Sequence, residues 1–320
     1  KGTLSLTHTK YLLDGSANTT ALKNATLKIG SQAHVIVPEN VGQQNIGGLA
    51  FDHGRLTFND YIPDMDDAGY VADGSIHAKH LDLSNANGTV DIHVGAINNT
   101  PTFITDKPIL EQDTGESIVQ LVSADQVTGI STGGLKLDIY DANGNLVSNS
   151  NSAVQLDIEQ SGKKVANGKY GYGLQSFKDV DSTTADGLYV SYKLTEIELL
   201  TKGDDALILH AAAGKTGNGA DLAAKVTGAG DLIIATDSNY LSLSNGDNDY
   251  TGVTDVRKGN LMLENSDVLG QTSLLNLEAD TSVSLFGYVG NKLGVTQAVG
   301  AVTAAKNSLI NLGNQGELTV

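Results

Sequence analysis

One short phrase recurs along the chain: a glycine, any residue, an aliphatic residue, any residue, an apolar residue. It stands at Gly2-Thr3-Leu4-Ser5-Leu6, Gly54-Arg55-Leu56-Thr57-Phe58 and Gly88-Thr89-Val90-Asp91-Ile92. It returns at Gly230-Asp231-Leu232-Ile233-Ile234, Gly259-Asn260-Leu261-Met262-Leu263 and Gly316-Glu317-Leu318-Thr319-Val320, and, shifted by one, at Gly187-Leu188-Tyr189-Val190-Ser191. Alternation of period two marks a strand with one side turned inward, and the glycine ahead of it marks a turn. The intervals between copies are unequal. Equal blades of a propeller therefore fit poorly, whereas a parallel solenoid accepts loops of varying length between its strands. Lys1-Gly2-Thr3-Leu4-Ser5-Leu6 also echoes Lys258-Gly259-Asn260-Leu261-Met262-Leu263 at Lys, Gly and both Leu positions, so similar coils stand near both ends. The expected fold is all-β, a parallel β-helix, with Leu4, Leu6, Leu27, Ile29, Leu81, Leu83, Val90, Ile92, Leu261 and Leu263 inside.

The 320 residues include 37 glycines and only 4 prolines, and aromatics make up 5% with no Trp. A core of Leu, Val, Ile and Ala suits thin stacked layers. Turn chemistry fills the gaps, as at Ser84-Asn85-Ala86-Asn87-Gly88 and Asn245-Gly246-Asp247-Asn248-Asp249. Helical signals are confined to residues 221–225 and 301–306, a turn or two each. Two stretches break the rhythm. Residues 60–73 form an acidic excursion. Residues 135–193 carry the hairpin dipeptides Asn143-Gly144 and Asn167-Gly168, which predict a projecting β-hairpin or small meander. The chain divides in this reading into a β-helix segment over 1–200 and a stem over 201–320. It opens inside a strand pattern with no signal peptide, as expected of a processed or excised segment.

The net charge of −17, with arginine at Arg55 and Arg257 alone, argues against a nucleic-acid partner. No stretch approaches the ~18 apolar residues of a membrane-spanning helix. Without cysteine there is no thiol chemistry.

The C-terminal stretch carries a resemblance. Gly228-Ala229-Gly230-Asp231-Leu232, then Asn248-Asp249-Tyr250-Thr251-Gly252-Val253-Thr254, then Lys258-Gly259-Asn260-Leu261, resembles the passenger-associated repeat of bacterial autotransporters, with Asp249 where the repeat usually has Asn. Residues 201–320 are similar to the autochaperone stem of such passengers, and the N-terminal part resembles them more loosely. The resemblance is to adhesin passengers of the antigen 43 and diffuse-adherence group. It implies a right-handed β-helix, display at the cell surface outside the outer membrane, and linkage to an outer-membrane β-barrel. It also implies a role in aggregation, biofilm formation or binding of a host matrix protein or glycan. No cofactor and no catalytic residue are expected.

Gly129-Ile130-Ser131-Thr132-Gly133 matches a nucleophile elbow, but an alternating strand follows where a helix is required. Gly214-Lys215-Thr216 lacks the glycine five positions earlier that a phosphate loop needs, since Leu209 stands there. Asp64, Asp66 and Asp67 form a candidate interaction loop, without the later oxygen ligands of a calcium loop at Ala68 and Ser75. His77 and His80, three apart in a strand, point to opposite sides and are surface residues rather than zinc ligands. The competing class is a β-helix carbohydrate enzyme, which needs carboxylates aligned on neighbouring coils.

Overall fold

A computed structural model describes residues 2–7, 22–39, 41–62, 71–99, 109–113, 117–149, 153–177, 186–286 and 294–320. Among these the chain is all-β, with three short 3-10 turns and no α-helix. It divides into two compact units: Lys1–Gly95, Glu116–Val154 and Gly171–Tyr192, and Ala96–Gly115, Gln155–Tyr170 and Lys193–Val320.

The first unit holds two parallel ladders. One stacks Gly2–Ser5, Ala33–Val37, Gly54–Tyr61, Gly88–His93 and Leu135–Tyr140. The other stacks Leu22–Gly30, Gly42–Asp52, Val71–Asp82 and Ser117–Thr128, and closes on an antiparallel partner at Gly187–Tyr192. From Gly2 to His93, consecutive strands alternate between the two ladders. Register places like side chains over like. Val35, Leu56, Val90 and Leu137 form one buried row, and Ile92 pairs with Ile139 in another. Each fully buried aliphatic side chain contributes roughly 1.5–3 kcal/mol. Leu6, Ile29, Leu81, Leu83, Val90, Ile92, Leu261 and Leu263 are inside as expected. Leu4 is instead 42% exposed, and Leu27 is only partly buried. The strand of Leu4 has a described partner on one side only, Ala33–Val37, so half of the expected cover is missing there.

The expected hairpin is present at Asn143-Gly144. Leu135–Tyr140 pairs antiparallel with Leu146–Asn149. The Asp141 carboxylate closes the turn by accepting from Asn143 N at 2.9 Å and Asn145 N at 2.8 Å. Asn167-Gly168 is not a turn: both residues lie within the long strand Lys163–Phe177. The tight turn falls earlier, at Ser161-Gly162, between that strand and its neighbour Val154–Gln160. Ser161 and Gly162 have φ of 51° and 74°, the left-handed pair that a two-residue hairpin requires.

From Leu232 to Leu285 the second unit repeats the alternation. One parallel ladder stacks Leu207–Leu209, Leu232–Ala235, Val253–Lys258, Leu274–Leu277 and Val302–Ala304. The other stacks Asp221–Leu222, Leu241–Leu243, Asn260–Leu263, Ser282–Leu285 and Leu309–Asn311. The two segments with helical signals are thus strand at Asp221–Leu222 and Val302–Ala304. Ladder pairing with residues 21 positions away at Asp221 and 27 at Val302 overrides a weak local propensity. Leu222, Leu243, Leu263 and Leu285 make one continuous buried row. At the corner before Val253, a Cβ built on Gly252 would overlap the carbonyl oxygen of Gly230 one layer away, so only glycine fits.

Candidate interaction surfaces

In the first unit, the residues between the buried ones of the first ladder point to the opposite face. That face gathers His34, Arg55, Thr57, Asp91, Lys136, Asp138 and Tyr140. Arg55 stands at the centre. Its Nη1 donates to Asp91 Oδ1 at 2.8 Å and to the Tyr140 hydroxyl at 2.8 Å, and its Nη2 donates to Asp138 Oδ2 at 3.0 Å. Asp91 and Asp138 are register partners on neighbouring strands, so one guanidinium bridges both carboxylates. Thr57 Oγ1 donates its one proton to Asp91 Oδ2 at 2.5 Å. It can therefore only accept from His34 Nε2, 2.7 Å away, which makes His34 the Nε2–H tautomer. His93 Nδ1 lies 3.1 Å from the Phe58 carbonyl and must likewise carry its proton there. Burial pushes the Asp91 carboxyl above its usual range, with the Thr57 and Arg55 contacts pulling the other way. Beside this cluster run three rings on adjacent strands. Tyr61 and His93 meet edge to face at 6.5 Å, and His93 and Tyr140 lie tilted at 5.7 Å.

In the second unit, polar side chains form rows outside the ladders. Asp255 and Asn276 are register partners, as are Asn276 and Thr303. Asn276 Nδ2 donates to Asp255 Oδ1 at 2.7 Å, and Thr303 Oγ1 donates to Asn276 Oδ1 at 2.5 Å. Arg257 closes the end of the row through Nε on Asp255 Oδ2 at 2.7 Å. On the other ladder, Ser242, itself fully buried, and Ser244 donate to the two oxygens of Asp221 at 2.6 and 2.7 Å. Ser282 and Ser284 share Asn260 Oδ1 at 3.0 and 3.2 Å. Burial raises both Asp221 and Glu264, and the Asp221 charge adds to the shift at Glu264. Asp113, 1% exposed, is a more isolated acid. Its Oδ2 accepts from Ala223 N at 2.5 Å and Ala224 N at 3.0 Å, while Oδ1 has no partner among the described residues. Burial pushes its carboxyl up to about 7, the two N–H groups opposing and the Asp221 charge assisting.

The Tyr250-Thr251-Gly252 phrase is structural. Tyr250 is fully buried. Thr272 Oγ1 donates to the Gly252 carbonyl at 2.7 Å, so it accepts from Thr254 at 2.9 Å, and Thr254 in turn accepts from the Tyr250 hydroxyl at 2.7 Å. This relay satisfies a core threonine row. Tyr250→Phe keeps the ring but strips Thr254 of its donor, and is expected to cost about 1–2 kcal/mol. Tyr250→Ala also empties the ring's volume, and is expected to cost about 3–5 kcal/mol. Denaturant titration of both variants measures the difference.

Asp64, Asp66 and Asp67 lie outside the described residues. His77 and His80 take separate partners, Ser123 Oγ at 2.9 Å and Thr128 Oγ1 at 2.7 Å. Ser131 sits in the turn before Leu135–Tyr140, where its Oγ accepts from Gly133 N at 3.3 Å. Lys215 pairs with Glu111. The Arg55 cluster carried one signal in the sequence, the scarcity of arginine. Its partners lie 36 and 83 residues away and had none.

No family model and no solved structure match the chain. It is similar to an uncharacterized protein, YuaQ, of Escherichia coli strain K12, with 37% identity over 322 residues covering 100% of this chain and 22% of that protein. It is also similar to an uncharacterized lipoprotein, YdeK, of the same strain, with 34% identity over 326 residues covering 94% of this chain and 23% of that protein. The chain thus spans less than a quarter of the length of these relatives.

Proposed function

We propose that the chain is a stretch of right-handed parallel β-helix from a cell-surface adhesin passenger. In this reading it acts by side-on association with a second copy on a neighbouring cell or with a host matrix component. The observation that carries the reading is the outward polar rows in register, such as Asp255–Asn276–Thr303. Each contact is worth only about 0.5–1.5 kcal/mol, so rows of them suit adhesion by avidity between many displayed copies. The alternation of strands between two parallel ladders, with side chains on neighbouring strands of the second unit hydrogen-bonded at separations of 21 to 27 residues, supports a helical winding. The likeness to a protein called a lipoprotein supports a place in the cell envelope. Full-length linkage to an outer-membrane β-barrel belongs to the same proposal.

A second reading, a carbohydrate enzyme, draws on Asp91 and Asp138 standing in register on neighbouring strands. Arg55 holds both as an ion-paired cluster, which suits a fixed recognition surface better than proton transfer. Displaying the chain on cells tests the two readings. Aggregation or matrix adhesion is expected, and self-association should strengthen with added salt, because screening relieves repulsion between chains of charge −17. Neither aggregation nor adhesion, together with cleavage of a polysaccharide by the purified chain, would install the enzyme reading instead.

A further inference from the structure

We propose that the outward face around Arg55 is a binding site for a neutral glycan, a short run of uncharged hexopyranose residues. The inference rests on the adhesin reading and names its ligand. A pyranose offers apolar C–H faces and a rim of hydroxyls that both donate and accept. It is held by ring surface beside a few fixed polar groups. Tyr61, His93 and Tyr140, all partly exposed, supply the rings across three neighbouring strands.

The polar groups are pre-set. Tyr140 accepts from Arg55 and so keeps its own hydroxyl proton to donate. Asp138 uses Oδ2 on Arg55, leaving Oδ1 to accept. In the neutral rings, the protons placed on His34 Nε2 and His93 Nδ1 leave His34 Nδ1 and His93 Nε2 as acceptors. Arg55 locks Asp91, Asp138 and Tyr140 to one another, so little side-chain freedom is lost on binding.

Charge selects against acidic sugars. Arg55 and Lys136 balance Asp91 and Asp138 on this face, and the guanidinium is already paired with both carboxylates. A uronate or sulfate would find the guanidinium already engaged, with the exposed Lys136 ammonium as its remaining cation on this face, and would approach a chain of charge −17.

Isothermal titration of the 320-residue chain with neutral pentasaccharides of β-linked glucose, α-linked glucose and β-linked N-acetylglucosamine is the test, with oligogalacturonate and heparin as the acidic arm. At least one neutral oligomer should bind, more tightly than either acidic one. Tyr140→Phe and Tyr61→Ala should each weaken binding about tenfold, and Asn276→Ala in the other unit should leave it unchanged. Unfolding temperatures establish that each variant is folded, and Tyr140→Phe, which keeps the ring, carries the test if Tyr61→Ala does not fold. The proposal is overturned if no neutral oligomer binds, if the acidic arm binds more tightly, if folded variants bind as the parent does, or if the bound oligomer is cleaved. Cells that aggregate or adhere equally with and without Tyr140→Phe, undisturbed by free oligosaccharide, would sink the glycan site while leaving the adhesin reading standing.

Discussion

Gly252→Val should destabilise the second unit by about 3 kcal/mol or more, since the added side chain must push apart two backbone layers rather than a flexible neighbour. For a unit of this size, that corresponds to a fall in unfolding temperature of roughly 6–12 °C. The overlap is with the Gly230 carbonyl oxygen, and Gly230 is itself hemmed in by the backbone of Leu199, Leu200 and Thr201. Three layers are locked together at this corner, so relaxation at one forces movement at the next. Gly171→Ala serves as the control: a Cβ there meets nothing within 4 Å, and the change should alter stability by no more than about 0.5 kcal/mol. Equal melting of the two variants would contradict the close approach of the layers.

The second large effect is a pH dependence centred on Asp113. Its carboxyl, 3.8 in the unfolded chain, is raised to about 7 in the folded one. Between those values the folded protein holds a proton that the unfolded chain releases. The stabilisation is therefore fully present below about pH 4 and is lost as pH rises through about 7. The loss across that window amounts to about 4 kcal/mol from this one acid. Asp113→Asn mimics the neutral acid at every pH. It should raise stability at pH 8 and flatten the fall between pH 5 and pH 8, leaving the smaller contributions of Asp91, Asp221 and Glu264, which are shifted the same way. Denaturant unfolding at the two pH values measures the slope, and an unchanged slope in the variant would rule out Asp113 as its source.

These two residues differ in how far the sequence announced them. The Tyr250-Thr251-Gly252 phrase that holds Gly252 was legible as part of the passenger-like repeat. What the corner touches was not, because Gly230 lies in a different layer. Alternation at Leu261 and Leu263, or at Val90 and Ile92, reads directly as an inward face, and those side chains are buried. Leu4 carries the same local pattern and is exposed, because burial depends on the strands stacked beside it. Asn167-Gly168 has the composition of a turn, yet its neighbours pull it into a strand, where a Cβ on Gly168 would stand 2.7 Å from the Tyr170 ring. Asp113 had no local signature, since nothing near it in the chain says which N–H groups will reach it. Arg55, Asp91 and Asp138 meet only once the register of three strands is known.

That register behaves as a reading frame. Val256 pairs with Leu277 in one step of the ladder, and Leu277 with Ala304 in the next, so the second step accommodates six more residues than the first. Length between strands is free, while phase within a strand is not. With Asn260 held in register, one residue inserted between Asn260 and Leu261 would turn Leu261 and Leu263 outward and Met262 inward. The same residue inserted into the corner at residues 305–308 would change no inward position on either ladder. Insertions and deletions among relatives of this chain should therefore collect at the corners, and a scan of single-residue insertions should show tolerance rising and falling with the strand boundaries.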